Sequence, residues 1–97
     1  MSKPKIIKDF EKLGADIVAQ IKLEYPYGFE KKLIRFRNHK GELISALPFE
    51  TETHQYLVRM TRQEANDIIE DDDDYDDDGV LTDEARERME DELDEDI

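Results

Sequence analysis

Residues 31–49, KKLIRFRNHKGELISALPF, read as two strands joined by a tight turn. Asn38 stands at the first position of a type I turn and Gly41 at the fourth, where a residue without Cβ takes φ > 0 at no steric cost. The result is a three-residue loop with a glycine bulge, pairing Asn38 with Glu42, Phe36 with Ile44 and Ile34 with Ala46. Strand side chains alternate, so Ile34, Phe36, Ile44 and Ala46 share one face. Leu33, Arg35, Arg37, Leu43, Ser45 and Leu47 share the other. The first set is the expected core face, and the second is mixed.

Downstream of this hairpin, residues 51–55 are polar, and YLVRM at 56–60 reads as a third strand. Thr61 then caps a helix with Glu64 as its reciprocal partner, and Ala65, Ile68 and Ile69 form the inward stripe. Upstream, Ile6, Phe10 and Leu13 recur at helical spacing before Gly14, which predicts a short helix over 5–13. A second helix begins near Asp16, carries Ile17 or Val18, Ile21 and Tyr25, and stops at Pro26. The aromatic loop that follows, Tyr25-Pro26-Tyr27-Gly28-Phe29, is expected to plug the corner between helix and sheet rather than to stack on bases. The element order is ααβββα, an α+β fold with two N-terminal helices, a three-stranded antiparallel meander and a C-terminal helix.

The 97 residues carry a net charge of −13, but the charge is unevenly placed. Residues 1–69 hold 12 Lys and Arg against 10 Asp and Glu, a balance of +2, whereas 70–97 hold 2 against 17, or −15. Low hydropathy with charge of one sign does not repay chain entropy by burial. A small domain is therefore expected over 1–70, with an acidic, mostly disordered tail over 71–97 and a marginal helix at 83–94. On that reading, a chain ending near residue 71 keeps its fold. Cysteine is absent, no apolar run approaches the roughly 20 residues needed to span a bilayer, and no leader pattern opens the chain. A cytoplasmic protein without membrane contact is expected.

Catalytic patterns are missing. Ser45 lies within a strand without a Gly-x-Ser-x-Gly setting, His39 and His54 sit in polar turns, and there is no glycine-rich phosphate loop. The expectation is a protein that is not an enzyme and takes no cofactor. Asp74, Asp76, Asp78 and Gly79 match the first half of an EF-hand calcium loop, yet the twelfth position, which needs a bidentate carboxylate, is Ala85. A solvated acidic run with at most weak calcium binding is favoured over a metal site.

YPYGF at 25–29, SALPFE at 45–50 and IIEDDDDYDDDG at 68–79 stand together in one chain. In these stretches the protein resembles a family of short, uncharacterised acidic proteins of Bacteroidetes-type bacteria. Some members carry a DNA primase label, an activity that requires a larger, metal-holding domain. The resemblance supplies no functional residues. Function is therefore read from the domain itself, as a non-enzymatic interaction module docking a protein partner through Arg35, Arg37, Leu43, Leu47, Leu57 and Arg59. The alternative is a nucleic-acid-associated protein, in which the same arginines meet phosphate or the tail imitates a polyanion.

Overall fold

The computed structural model describes residues 3–94. They form a mixed α+β domain with four strands, β1 (Lys5–Asp9), β2 (Ile34–Arg37), β3 (Leu43–Glu50) and β4 (Gln55–Arg59). Three α-helices accompany them, α1 (Ala15–Glu24), α2 (Arg62–Asp71) and α3 (Asp83–Asp94). The hairpin register is as expected, with Ile34 opposite Ala46 and Phe36 opposite Ile44. Its turn closes through the Asn38 amide on the Glu42 carbonyl at 3.0 Å, with Gly41 at φ 81°.

The sheet is larger than the expected three-stranded meander: its order is β1-β4-β3-β2, with β1 parallel to β4. Residues expected in a first helix form this strand instead. A spacing of four, Ile6 to Phe10, suits one face of a strand as well as one face of a helix. Leu13 and the stop at Gly14 argued for the helix, but a 3-10 turn at Phe10–Lys12 brings Leu13 round to the core, and Gly14, at φ −70°, precedes α1 as its N-cap instead. The edge of β4 supplies a hydrogen-bonding template that outweighs local propensity. Because β1 and β2 lie on opposite edges, the intervening chain crosses the sheet. Its helix α1 joins α2 and α3 on one face, where Ala19, Ile21, Leu47, Phe49, Val58, Ile69 and Met89 share a single core.

Pro48 sits inside a central strand, where a missing N–H is ordinarily disruptive. Here it is not. The Ser45 carbonyl accepts from the Met60 amide, so Ser45 and Leu47 point their backbone groups at β4 while Ala46 and Pro48 point theirs at β2. Ile34, the first residue of β2, lies opposite Ala46, so no strand stands beside Pro48 to require its donor. The orphaned Pro48 carbonyl accepts from the Tyr25 hydroxyl, and the Tyr25 carbonyl accepts from the Tyr75 hydroxyl at 2.9 Å. Phe29 is buried beside both tyrosine rings in edge-to-face packing, as the corner reading requires, while Tyr27 is 79% exposed.

The expected boundary at residue 70 does not divide the structure. Tyr75, Leu81, Ala85 and Met89 belong to the core, and α3 packs on α1. The averaged charge concealed how individual carboxylates are matched. Lys22, on α1, pairs with both Asp72 and Asp74, and Arg88 reaches back to Asp74 at 2.8 Å. Thr82 accepts from the Ala85 amide as the cap of α3, and the Leu81 amide donates to the Pro26 carbonyl at 2.7 Å. The last part of the expected tail, residues 95–97, lies outside the described residues.

Candidate interaction surface

The covered and open faces of the sheet are the reverse of the sequence reading. Leu47, Phe49, Val58 and Met60 lie under the helices, whereas Ile34, Phe36, Ile44 and Ala46 fall outside the core cluster. Register then assembles the open face row by row. Ile7, Leu57 and Pro48 form one row across three strands, Ile34 and Ala46 a second, and Phe36 and Ile44 a third. Ile7 is 48% exposed and Ile34 41%, Leu57, Pro48, Phe36 and Ile44 are half-buried, and Ala46 is fully covered by its neighbours. The rows therefore present apolar surface to solvent chiefly at their two edges. Where β2 stops, Tyr25, Ile34, Phe36, Pro48 and Leu57 line a groove.

Charge frames these rows. The Asp9 carboxylate accepts from Arg59 at 3.0 Å beside Ala46, and Lys5, Gln55 and Glu50 form the outermost row at the other end. An antiparallel sheet with one solvated face ordinarily alternates apolar inward and polar outward. This sheet keeps its polar residues at the margins of the open face and leaves the middle apolar.

The six residues expected to form one docking face are split between two. Pairing of Ala46 with Arg59 and of Pro48 with Leu57 puts Arg59 and Leu57 on the open face. Arg35, Arg37, Leu43 and Leu47 point to the helical side, where Leu47 is fully buried and Leu43, near the hairpin tip, is 56% exposed. The hairpin tip outreaches the helices, which is why one face is core at Leu47 and wet at Arg35. The open-face residues that the sequence reading missed are Ile7, hidden in the supposed helix, and Pro48. Proline within a strand was itself a signal, since it demands a side without a pairing neighbour.

Two of the three candidate calcium residues, Asp74 and Asp76, are engaged elsewhere, and Asp78 is exposed. Burial alone would raise the Asp74 carboxyl, but hydrogen bonds and charge from Arg88 and Lys22 outweigh it and hold the group below the usual carboxylate range. Asp76 spends its side-chain oxygen on the amides of Asp78 and Val80, at 2.9 and 3.0 Å, and Gly79 takes φ 78°. That is a β-turn, and it brings Tyr75 opposite Leu81 in a single bridge. Burial, with the nearby charges of Asp72 and Asp74, pushes the Tyr75 phenol well above its ordinary range, so the hydroxyl remains a donor to Tyr25. His39 is exposed in the hairpin turn, and His54 places Nδ1 2.8 Å from the neighbouring Thr53 hydroxyl. No described helix is long and apolar enough to cross a membrane. No family model matches this chain, and neither does any curated protein or solved structure with which it was compared.

Proposed function

We propose that the chain is a non-enzymatic interaction module that buries its open sheet face against a protein partner. The observation that carries this reading is the set of three apolar rows on the one face that no helix covers. A contiguous apolar patch with a polar rim is the composition of a protein interface. The nucleic-acid reading has less support, because Arg59 faces away from Arg35 and Arg37 and is held by Asp9. Weak calcium binding also has less support, since Asp74 and Asp76 already serve Lys22, Arg88 and the turn.

The test is site-specific photo-crosslinking in the native cell. A photoreactive side chain at position 34 should give a discrete protein adduct, and the same group at Glu84, on the exposed side of α3, should not. Leu57→Lys, placed on the open face, should abolish the adduct while leaving the fold intact. A clean gel from position 34, or equal labelling from both positions, sinks the proposal.

A further inference from the structure

Residues 31–40 contain Lys31, Lys32, Arg35, Arg37 and Lys40 and no acid, in a chain with 27 Asp and Glu. None of the five forms an ion pair among the described residues, whose cationic partners are Lys3, Lys22, Arg59, Arg62 and Arg88. Arg37 donates to the Gly41 carbonyl at 2.9 Å, which leaves its charge uncompensated. Arg35 and Arg37 lie in β2, with Lys31 and Lys32 in the 3-10 turn before it and Lys40 in the hairpin turn after it, and β2 is an edge strand. Ladder alternation directs the backbone of Ile34 and Phe36 toward β3, so the N–H and C=O groups of Arg35 and Arg37 face outward.

We infer that the β2 edge accepts an extended acidic segment of a partner protein, added to the sheet as a fifth strand. Two features fit the same guest. The side chains alternate, with Arg35 and Arg37 on the helical side and Ile34 and Phe36 on the open side. A strand that alternates acidic with apolar residues therefore answers both at once. The backbone offers donors and acceptors in turn. A peptide pairs with both, whereas a phosphodiester chain only accepts and leaves the outward carbonyls unmatched. The guest's apolar side chains would extend the open-face rows at Ile34 and Phe36, whereas its backbone meets the outward groups of Arg35 and Arg37. Protection of those two amides therefore reports edge pairing apart from burial of the rows.

The experiment titrates the full chain with a blocked peptide of alternating valine and glutamate, followed by amide NMR and hydrogen exchange. Control arms are an alternating valine–lysine peptide, a peptide with the same glutamates in one block, and a single-stranded oligonucleotide. The expected result is slowed exchange at the Arg35 and Arg37 amides with the alternating acidic peptide alone. Affinity should fall at least tenfold when salt is raised well above physiological strength, where screening acts over less than about 8 Å. The charge-reversed double variant Arg35→Glu/Arg37→Glu should lose this peptide and gain the valine–lysine one. Both side chains are exposed, so the variant should fold. Shifts without amide protection, or equal binding of the oligonucleotide or the block peptide, overturn strand addition in favour of a general polyanion site. Aggregation of the charge-reversed chain, with no peptide bound by the original, assigns the arginines to guarding the edge instead. Self-association of the free chain through β2 would make a second copy the occupant.

Discussion

Two turns in this molecule have the same geometry and opposite histories. In Asn38-His39-Lys40-Gly41-Glu42 the Asn38 side chain accepts from the amides of Lys40 and Glu42, at 2.9 and 3.0 Å. In Asp76-Asp77-Asp78-Gly79-Val80 the Asp76 side chain accepts from Asp78 and Val80 at the same two distances. The glycines stand at φ 81° and 78°. Yet the first turn closes four paired positions of a sheet, and the second closes one bridge. A turn sets only the reversal of the chain; the flanking residues decide what the reversal does. Alternating apolar strands extend the first into a ladder, and Tyr75 with Leu81 uses the second to insert two side chains into a helical core.

The comparison breaks most visibly by deletion. A chain ending at Asp71 loses Tyr75, Leu81, Ala85 and Met89 from the core, removes α3 from α1 and strips Tyr75 from the ring of Phe29. Fully buried side chains of this size contribute roughly 1.5–3 kcal/mol each. Their loss is comparable to the entire stability of a small domain, about 5–15 kcal/mol. The shortened chain should therefore give a collapsed amide spectrum and no cooperative melt. A dispersed native-like spectrum would return residues 72–94 to the status of an appendage.

What was legible divides along the same line. The hairpin and the capping box at Thr61 and Glu64 are local chemistry, and both stand as read, with the two capping hydrogen bonds at 3.0 Å. The helix–strand confusion at Ile6 and Phe10 arose because a spacing of four is common to both periods. The second turn was concealed by its own composition: averaging charge over 70–97 hides that Asp72 and Asp74 share Lys22, that Asp74 also takes Arg88, and that Asp76 accepts from the turn's own amides. The apolar set of Ile34, Phe36, Ile44 and Ala46 was visible. Which face the helices would cover was not, because that depends on the path from one sheet edge to the other. For the same reason the arginines were grouped correctly along β2 but wrongly with Arg59.

Equal geometry implies equal backbone strain, so Gly41→Val and Gly79→Val should each destabilise by about 1–3 kcal/mol. Neither position is closely crowded. A Cβ at Gly41 meets nothing within 4 Å, and one at Gly79 lies 3.8 Å from the Ile69 side chain. Thermal melts that differ widely between the two would show that the turns are alike in outline only. Slightly smaller is the expected cost of Asp74→Asn, about 1–2 kcal/mol, from the charge-assisted bonds lost to Lys22 and Arg88. Because the Asp74 carboxyl lies below its unfolded value of about 3.9, its contribution is fully present above that pH and disappears as pH falls through the lower, folded value. Stability of the original chain should therefore drop more steeply on acidification below about pH 4 than that of Asp74→Asn. Parallel pH profiles would remove Asp74 from the docking of α3.

The finest test exchanges charge while preserving shape. Asn38 demonstrates that a neutral amide oxygen supports this turn as well as a carboxylate does, so Asp76→Asn should retain both hydrogen bonds to the Asp78 and Val80 amides. What it removes is one negative charge from a run in which Asp73, Asp77 and Asp78 are all exposed. Repulsion between exposed like charges is worth only a few tenths of a kcal/mol, and it is screened by salt. Asp76→Asn should consequently raise the melting temperature by roughly 1–3 °C at low salt, and the gain should vanish at high salt. Asn38→Asp, set between Arg37 and Lys40, should show no such gain to lose by relieving repulsion. A destabilised Asp76→Asn would instead mean that the carboxylate charge itself holds the amides, making the second turn electrostatic where the first is purely conformational.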